Sequence, residues 1–323
     1  MAKPLIRQLA TSYDGSIIAA GEFNRKVHIW NIHDGAKVAV FDTVLDFGGR
    51  RLAISRDGRT CITGTYHGQY LSESRVSGGA IAAYSTSDGR RIWENKRIKR
   101  IQGINFSFHE SGKLYATFDD QPCRIISCSS GEEIEKIRGV RWIEDSPLDS
   151  TRFVATDSGY SLVNSETCKA VGKLEKFRFS FLDVAFSRDR IVIAEVGGPI
   201  TCFDTRNCSR VWQHVPDEGH HFLRTRFNER TKEMVGVDWP YEHGGPKRLI
   251  CLDASSGVVN RQLALKEDSW DMEFAMQGKV LITSDGRIID TSSGEETDKL
   301  SFSMVSDDEW DAMWKEKRKE TPE

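Results

Sequence analysis

The residues of this sequence that could do chemistry are histidines and paired carboxylates, and few have the spacing that a catalytic or metal site requires. Histidines concentrate at His220, His221 and His243. His220 and His221 are adjacent, so on a strand they face opposite sides and could share a metal ion only from a loop. The carboxylate pairs at 119–120 and 307–308 fit solvated turns. The sequence therefore predicts no catalytic residue, no metal site and no cofactor.

Known catalytic and metal-binding motifs lead to the same expectation. The sequence has no Gly-x-Ser-x-Gly elbow, no His-Glu-x-x-His motif and no phosphate-binding loop. The cysteine count is odd, at 7, and no Cys-x-x-Cys pair occurs. Neither a disulfide framework nor a structural zinc site is therefore predicted.

Aromatic and basic residues between the strands form the stronger candidate site. The segments 64–79 and 238–247 are longer than a tight hairpin needs, and long loops often serve recognition. Exposed Trp, Tyr and Arg side chains dominate protein interfaces. Trp142 and Trp270 begin inner strands, so packing between repeats is the alternative for these two. The predicted partner-binding residues are Tyr66, His67, Tyr70, Arg75, Arg100, Arg141, Trp142, Arg178, His221, Trp239, Tyr241, His243 and Trp270.

The elements that carry these loops repeat along the sequence. A short apolar strand, a polar turn and a second strand recur seven times at intervals of about 36 to 54 residues, in segments 27–38, 81–92, 124–134, 161–167, 201–207, 249–257 and 287–294. A second hairpin precedes each copy, so each unit has four strands. Such repeats predict an all-β, seven-bladed β-propeller of four-stranded antiparallel blades. A parallel α/β fold would need helices between the strands, and a β-sandwich would not need sevenfold similarity.

The repeat resembles the WD-repeat family of propellers and, more loosely, quinoprotein-type propellers. The resemblance covers about residues 5–304 and is closest at Ser12–Gly21 (Ser-Tyr-Asp-Gly-Ser-Ile-Ile-Ala-Ala-Gly) and Val27–Asn31 (Val-His-Ile-Trp-Asn). Only Trp30-Asn31 approaches the Trp-Asp dipeptide, and no blade has a Gly-His pair, so the family's Asp–His networks are not carried over. Each end supplies its own four strands, and the ring is expected to close by packing between blades seven and one.

The sequence pattern changes after residue 304, which divides the chain into a propeller domain (1–304) and a helical tail (305–323). Ser306 and Glu309 have the spacing of a capping box. Trp310 and Trp314 then lie on one face of a short amphipathic C-terminal helix. This helix is expected either to dock on the propeller or to bind a partner.

Composition narrows the class of function. The net charge is −3, which argues against a general nucleic-acid binder, although contact with RNA or DNA through basic rim residues is an alternative. No apolar run approaches the ~18 residues of a membrane span, and no signal-peptide core is present, which predicts a cytoplasmic protein. The leading hypothesis is a non-catalytic protein-interaction module, monomeric when free, acting as a scaffold or as an inhibitor or immunity-type partner. Its partner would be another protein, bound by the rim that carries the 64–79 and 238–247 loops. The alternative is a propeller enzyme or sugar-binding protein with a polar site at the mouth of the central channel.

Overall fold

The computed structural model describes the greater part of the chain. The described residues are 3–4, 6–22, 26–43, 49–66, 81–95, 97–98, 105–109, 111–118, 122–146, 148–175, 181–240, 247–265, 271–302, 304–306, 308–309 and 312. For residues 3–4, 7, 49–51, 65–66, 181–182, 298–299 and 304–305, the backbone alone is described.

Seven antiparallel sheets of four consecutive strands make up the fold, which confirms the predicted propeller. Blades 1 to 4 contain, in order, β2 (Ile6–Thr11), β3 (Ile17–Glu22), β4 (Lys26–Asn31) and β5 (Lys37–Asp42); β6 (Gly49–Ile54), β7 (Thr60–Tyr66), β8 (Ile81–Ser85) and β9 (Arg91–Asn95); β10 (Asn105–His109), β11 (Lys113–Thr117), β12 (Cys123–Ser127) and β13 (Glu133–Ile137); β14 (Val140–Asp145), β15 (Thr151–Thr156), β16 (Gly159–Asn164) and β17 (Ala170–Lys173).

Blades 5 to 7 follow the same order, and a two-stranded ribbon joins the two ends of the chain. The remaining strands are β18 (Phe181–Phe186), β19 (Arg190–Glu195), β20 (Ile200–Asp204) and β21 (Arg210–His214); β22 (His220–Asn228), β23 (Glu233–Pro240), β24 (Arg248–Asp253) and β25 (Val259–Ala264); β26 (Met272–Ala275), β27 (Val280–Thr283), β28 (Arg287–Asp290) and β29 (Glu296–Lys299); and the ribbon strands β1 (Lys3–Pro4) and β30 (Met304–Val305).

The hydrophobic core is divided among the junctions between blades. In most blades the two middle strands are buried on both faces, which is why they are almost continuously apolar, as in Ile191–Ala194; β16 of blade 4 is an exception, with most of its residues half-buried. One buried cluster fills each junction: Trp93 of blade 2, for example, packs with Leu114 and Ile126 of blade 3. The first strand of each blade lies innermost, so seven first strands surround the axis.

A repeated contact between outer strands and turns holds neighbouring blades together. The Trp93 Nε1–H donates to the Cys128 carbonyl at 2.7 Å, and the ring lies directly over Gly131. A Cβ at Gly131 would come 2.5 Å from that ring, and its φ of +72° is one that L-residues disfavour. Trp212 repeats the contact over Gly257, with its Nε1–H 3.0 Å from the equivalent carbonyl. Glycine is therefore required in these turns for both space and backbone conformation.

The ring closes between blades 7 and 1, as the sequence predicts. Ile6 and Trp30 of blade 1 share a buried cluster with Ile282 and Ile288 of blade 7. Among the described residues, blade 7 is made of β26 to β29 alone. The structure adds a feature that sequence reasoning did not anticipate, because β1 pairs antiparallel with β30 through Lys3–Val305 and Pro4–Met304. Short backbone pairing thus supplements side-chain packing at the closure.

Beyond β30, the described residues contain the predicted capping box. The Ser306 backbone N–H donates to the Glu309 carboxylate at 2.8 Å, and the Glu309 N–H donates back to the Ser306 hydroxyl at 3.2 Å. These bonds hold the pKa of Glu309 below its usual value. Asp308, Glu309 and Ala312 have helical conformation. The rest of the tail lies outside the described residues, so the predicted helix and the domain division stay predictions.

Candidate functional site in the central channel

The seven first strands enclose a cavity of about 430 Å³, which we call the central channel. Each blade contributes residues from its first strand or from the turn that follows it. A first strand is an edge strand, and every second backbone N–H and C=O group on its free side has no partner in the sheet. The channel wall is therefore polar in its backbone before any side chain is considered.

Five charged side chains on blades 5 to 7 form an ion-pair series along one side of this channel. Asp271 lies 3.6 Å from Arg224, which lies 3.5 Å from Glu273. Glu273 lies 3.3 Å from Arg226, which lies 3.2 Å from Asp183. Negative and positive groups alternate, so each arginine is shared between two carboxylates.

The two ends of the ion-pair series also satisfy edge-strand amides of the next blade. Asp271 of blade 7 accepts the Leu9 N–H of blade 1 at 2.8 Å. Asp183 of blade 5 accepts the Thr225 N–H of blade 6 at 2.6 Å and the Thr225 hydroxyl at 3.0 Å. In both donor strands a β-bulge lies just before the donor residue, between Ile6 and Gln8 or between Phe222 and Arg224. The carboxylates thus connect successive blades at positions where the ladder is irregular.

Burial and mutual attraction compete in the ion-pair series. Burial alone would lower the pKa of Arg224, but Asp271 and Glu273 raise it above its usual value. Burial likewise opposes ionisation of Arg226, and Asp183 and Glu273 raise its pKa. Burial raises the pKa of Glu273, and the two arginines counteract only part of that rise. Both guanidinium groups therefore stay charged, with carboxylates already beside them.

Glu144, on β14 of blade 4, also lines the channel but is not part of the ion-pair series. Within the described residues its carboxyl group makes no hydrogen bond and no ion pair. Burial raises the pKa of Glu144 to about 8; Arg226 opposes this rise, and Asp183 adds to it. Glu144 is thus a mostly protonated carboxyl group at neutral pH.

The first strands of blades 1 to 3 present a different wall. Their described channel-lining residues are uncharged: Gln8, Leu9, Ala10 and Thr11; Leu52, Ala53 and Ile54; and Asn105, Phe106, Ser107 and Phe108. At one end of the channel, Arg56, in the turn after β6, donates to the Ser146 carbonyl at 3.2 Å. Burial raises the pKa of Tyr13 at the same end; Arg56 opposes this and Glu229 adds to it. Charge in the described channel wall is therefore concentrated on blades 4 to 7.

On the predicted rim site, the structure brings together two of the proposed residues. His221 and Trp239 are register partners on β22 and β23 of blade 6. Lys247 lies over the Trp239 ring, with its Nζ 3.8 Å from the ring centroid. Burial lowers the pKa of His221; Asp238 counteracts this only in part. This corner of blade 6 carries an aromatic ring and a cation, but the His221 and Trp239 side chains are both half-buried.

Two further predicted residues lie on blade 4. Arg141 is exposed and its Nε donates to Asp157 at 2.6 Å. Trp142 is half-buried, lines the channel and packs against the core between blades 4 and 5. Trp142 is therefore at least partly a packing residue. Packing was the alternative to partner binding that the sequence analysis gave for this residue.

Most of the predicted rim site cannot be placed. The side chain of Tyr66, at the end of β7, is outside the described residues. The same holds for the other rim and tail predictions, namely His67, Tyr70, Arg75, Arg100, Arg178, Tyr241, His243, Trp270, Trp310 and Trp314. Their role in binding stays a prediction.

Sequence reasoning missed the charged residues of the channel. A usable signal existed, because Arg224 and Arg226 alternate within a first strand, and Asp183 and Glu144 interrupt apolar first strands. Charged residues at strand positions that face a closed axis indicate a polar channel. Metal-site geometry, with three or more His, Cys, Asp or Glu side chains together, does not occur within the part of the chain that the structure describes. Among the same residues, no helical segment combines the length and apolar character of a membrane crossing.

Comparison with known proteins supports the fold without identifying a family. No family model matches the chain, and no curated protein matches it. Solved structures do match. BamB from Moraxella catarrhalis has a TM-score of 0.56 at 12% identity, covering 88% of this chain and 82% of its own. The C-terminal WD40 domain of Sif2 has a TM-score of 0.60 at 9% identity, covering 88% and 95%. The dihydro-heme d1 dehydrogenase NirN, in complex with DHE, has a TM-score of 0.58 at 14% identity, covering 93% and 66%.

At these identities the likeness concerns the fold alone. The protein is a seven-bladed β-propeller of the kind found among WD40 and BamB-like structures.

Proposed function

We propose that this propeller is a non-catalytic interaction module that binds another protein. The observation that carries the proposal is the state of the channel carboxylates. Asp183, Asp271 and Glu273 are each engaged by arginine, and the two aspartates also accept backbone amides. A general acid or base needs a carboxyl group free to exchange a proton with substrate. The three carboxyl groups of the ion-pair series instead stabilise the ring, and Glu144 stands apart from them.

The similarity to WD40 and BamB propellers supports a protein as the partner, since WD40 propellers are interaction modules. The binding surface in this proposal is the rim that carries the 64–79 and 238–247 loops. On that rim, the described residues His221, Trp239 and Lys247 lie side by side. An aromatic ring with a cation over it is a common feature of protein interfaces. The finer roles, scaffold or inhibitor, remain part of this proposal.

Affinity capture of the tagged full-length chain from its native cells, over a series of salt concentrations, tests the proposal. We expect a stoichiometric protein partner that survives high salt. Changing Tyr66 and Tyr241 to Ala together should reduce capture about tenfold or more, as loss of aromatic anchors does. Tyr13→Ala is the matched control, because Tyr13 lies in the turn between β2 and β3, at the opposite rim. Capture of no protein at any salt would overturn the proposed function.

Two results of the same experiment separate the finer alternatives. Equal capture by the rim double variant and by the wild type would overturn the rim as the binding surface. If a partner with a measurable activity is captured, adding the purified propeller distinguishes the roles. Lost activity indicates an inhibitor, and retained activity indicates a scaffold.

A second candidate function is a propeller with a small-ligand or catalytic site in the channel. It is favoured by the convergence of Asp183, Arg226 and Glu273 on the channel, where an aliphatic lining would have excluded it. The NirN structure provides an example of an enzyme that contains this fold. Turnover by the purified chain in the absence of any protein partner would favour this candidate.

A further inference from the structure

The Glu144 carboxyl group is the one member of the described charged channel wall on blades 4 to 7 that has no partner. It lies inside the channel, surrounded by protein. Its neighbours are two arginines, Arg226 and Arg56, and two aspartates, Asp183 and Asp145. None of these hydrogen-bonds or ion-pairs with Glu144. Its side chain is half-buried and lines the open channel, so a ligand in the channel could reach the carboxyl group.

Neither neighbouring cation is in contact with Glu144, although both lie close enough to lower its pKa. Arg226 pairs with Asp183 and Glu273, and Arg56 donates to the Ser146 carbonyl. The neighbouring Asp145 is bound by Arg152 at 2.5 Å and is therefore neutralised. Within the described wall, the two guanidinium groups of the ion-pair series face three carboxylates, and Arg56, which also lines the channel, is held by a backbone carbonyl. Glu144 is therefore left without a cation in direct contact.

The space and the lining beside Glu144 fit an organic cation. The channel volume of about 430 Å³ is within the usual range for small-ligand sites. Trp142 is two residues before Glu144 on β14, with no register shift between them, so the two side chains are on the same side of the strand. Both line the channel. An aromatic ring next to a carboxylate is a favourable environment for an ammonium or guanidinium group.

We propose that the central channel binds a ligand through a protonated amine or guanidinium group, which pairs with Glu144 and lies beside Trp142. The ligand is either a free organic cation or a Lys or Arg side chain of a protein. This inference goes beyond the proposed function, because it concerns the channel and not the rim loops. It holds whether or not a protein binds at the rim.

Binding should be coupled to the loss of a proton. The cation favours the ionised form of Glu144, whereas the empty channel favours the protonated form, with a pKa of about 8. Affinity should therefore rise with pH up to about 8 and then level off. For a ligand that binds the ionised form alone, this pKa of about 8 corresponds to about 20-fold weaker binding at pH 6.5 than at pH 8.5.

Isothermal titration calorimetry of the full-length chain at pH 6.5 and 8.5 tests the proposal. The probes are agmatine, N-acetyl-lysine amide and the peptide acetyl-Gly-Arg-Gly-amide, and the neutral control is the same lysine amide acetylated at Nε. We expect binding of the cations, tighter at pH 8.5, and no binding of the neutral control. Repeating the titration in buffers of different ionisation enthalpy at pH 6.5 should show proton release.

The decisive variant is Glu144→Gln, which keeps the shape of the side chain but cannot ionise. It should fold, because the wild-type carboxyl group has no bond to lose, and it should bind the cations about 30-fold or more weakly, without proton release. Glu135→Gln, on an outer strand of blade 3, is the control that should bind like the wild type. Tighter binding of the peptide than of agmatine indicates a protein side chain as the natural ligand, and the reverse indicates a free cation.

Absence of binding by all three cations at both pH values would overturn the inference. So would equal affinity of the wild type and Glu144→Gln, or binding of the neutral control with the same affinity. These readouts are independent of partner capture at the rim, so failure of one proposal is distinguishable from failure of the other.

Discussion

The outer ring of this propeller and its channel wall follow opposite rules. In the outer ring, the same contact recurs: Trp93 covers Gly131, and Trp212 covers Gly257. In the channel wall, first strands that are equivalent in the fold present different residues: the described lining residues of these strands are uncharged on blades 1 to 3 and include charged groups on blades 4 to 7. Repetition outside maintains the ring, whereas the channel wall varies from blade to blade. Searches for function in a diverged propeller should therefore begin where the repeat breaks down.

The largest effect should come from the outer ring. Gly257→Ala would place a Cβ 2.6 Å from the Trp212 ring at a φ of +72°. We expect a loss of about 4 kcal/mol in the free energy of unfolding, from steric overlap and backbone strain together. The control is Gly35→Ala, at the equivalent turn of blade 1, where φ is +66° and nothing lies within 4 Å.

That control should cost about 1 kcal/mol, the backbone strain alone. Urea denaturation followed by tryptophan fluorescence measures both variants. Equal losses for Gly257→Ala and Gly35→Ala would mean that the tryptophan contact does not hold the ring. The claim that repeated contacts in the outer ring stabilise the propeller would then be wrong.

The next effect belongs to the channel. Arg224→Met removes the cation between Asp271 and Glu273, and the Arg224 side chain is only 16% exposed. Asp271 would lose its arginine and Glu273 would lose one of its two arginines, and we expect a loss of about 3 kcal/mol at pH 7. The loss should shrink at acidic pH as the carboxylates become protonated.

Arg90→Met is the matched control, because Arg90 is 78% exposed and its nitrogen is 3.9 Å from Asp88. It should leave stability unchanged within about 0.5 kcal/mol. If Arg224→Met were equally neutral, the ion-pair series would not contribute to the ring.

Glu144→Gln should act in the opposite direction, by stabilising the protein. The folded pKa of about 8 lies above the value near 4.3 of an unfolded glutamate. Between these two pH values the folded state holds a proton that the unfolded state has lost, so this group makes wild-type stability fall as pH rises. The variant lacks that dependence. It should match the wild type near pH 4 and exceed it by about 2 kcal/mol at pH 6.

Thermal unfolding of both proteins from pH 4 to pH 8.5 checks this expectation. Parallel curves would show that Glu144 ionises normally in the channel. In that case the unpaired Glu144 would titrate like an ordinary carboxyl group, and the contrast between the paired and the unpaired carboxyl groups of the channel would fail.

The smallest effect should again be in the outer ring. Trp212→Phe keeps a ring over Gly257 but removes the Nε1–H that donates to the Ala254 carbonyl at 3.0 Å. We expect a loss of about 1 kcal/mol, the usual net value of one hydrogen bond. Measured beside Gly257→Ala, it separates the packing contribution of the contact from its hydrogen bond. A loss as large as that of Gly257→Ala would assign the contact mainly to the hydrogen bond.

Local sequence patterns were sufficient to predict the blades. Alternating strands such as Val184–Phe186, and glycine at turns such as Asp57–Gly58, are short-range signals that depend on neighbouring residues alone. The capping box at Ser306 and Glu309 is another such signal, and its hydrogen bonds are present. The β1–β30 ribbon escaped prediction because it joins two short segments from opposite ends of the chain.

The sequence by itself thus determined the number of blades and their strand order, because each depends on periodicity within about 40 residues. Only the tertiary structure decided what lies in the channel. Asp183, Arg226 and Glu273 come from three different blades, and their pairing requires the ring to be closed around a common axis. The unpaired state of Glu144 was decided in the same way, since burial and the prior pairing of Arg226 are properties of the assembled channel.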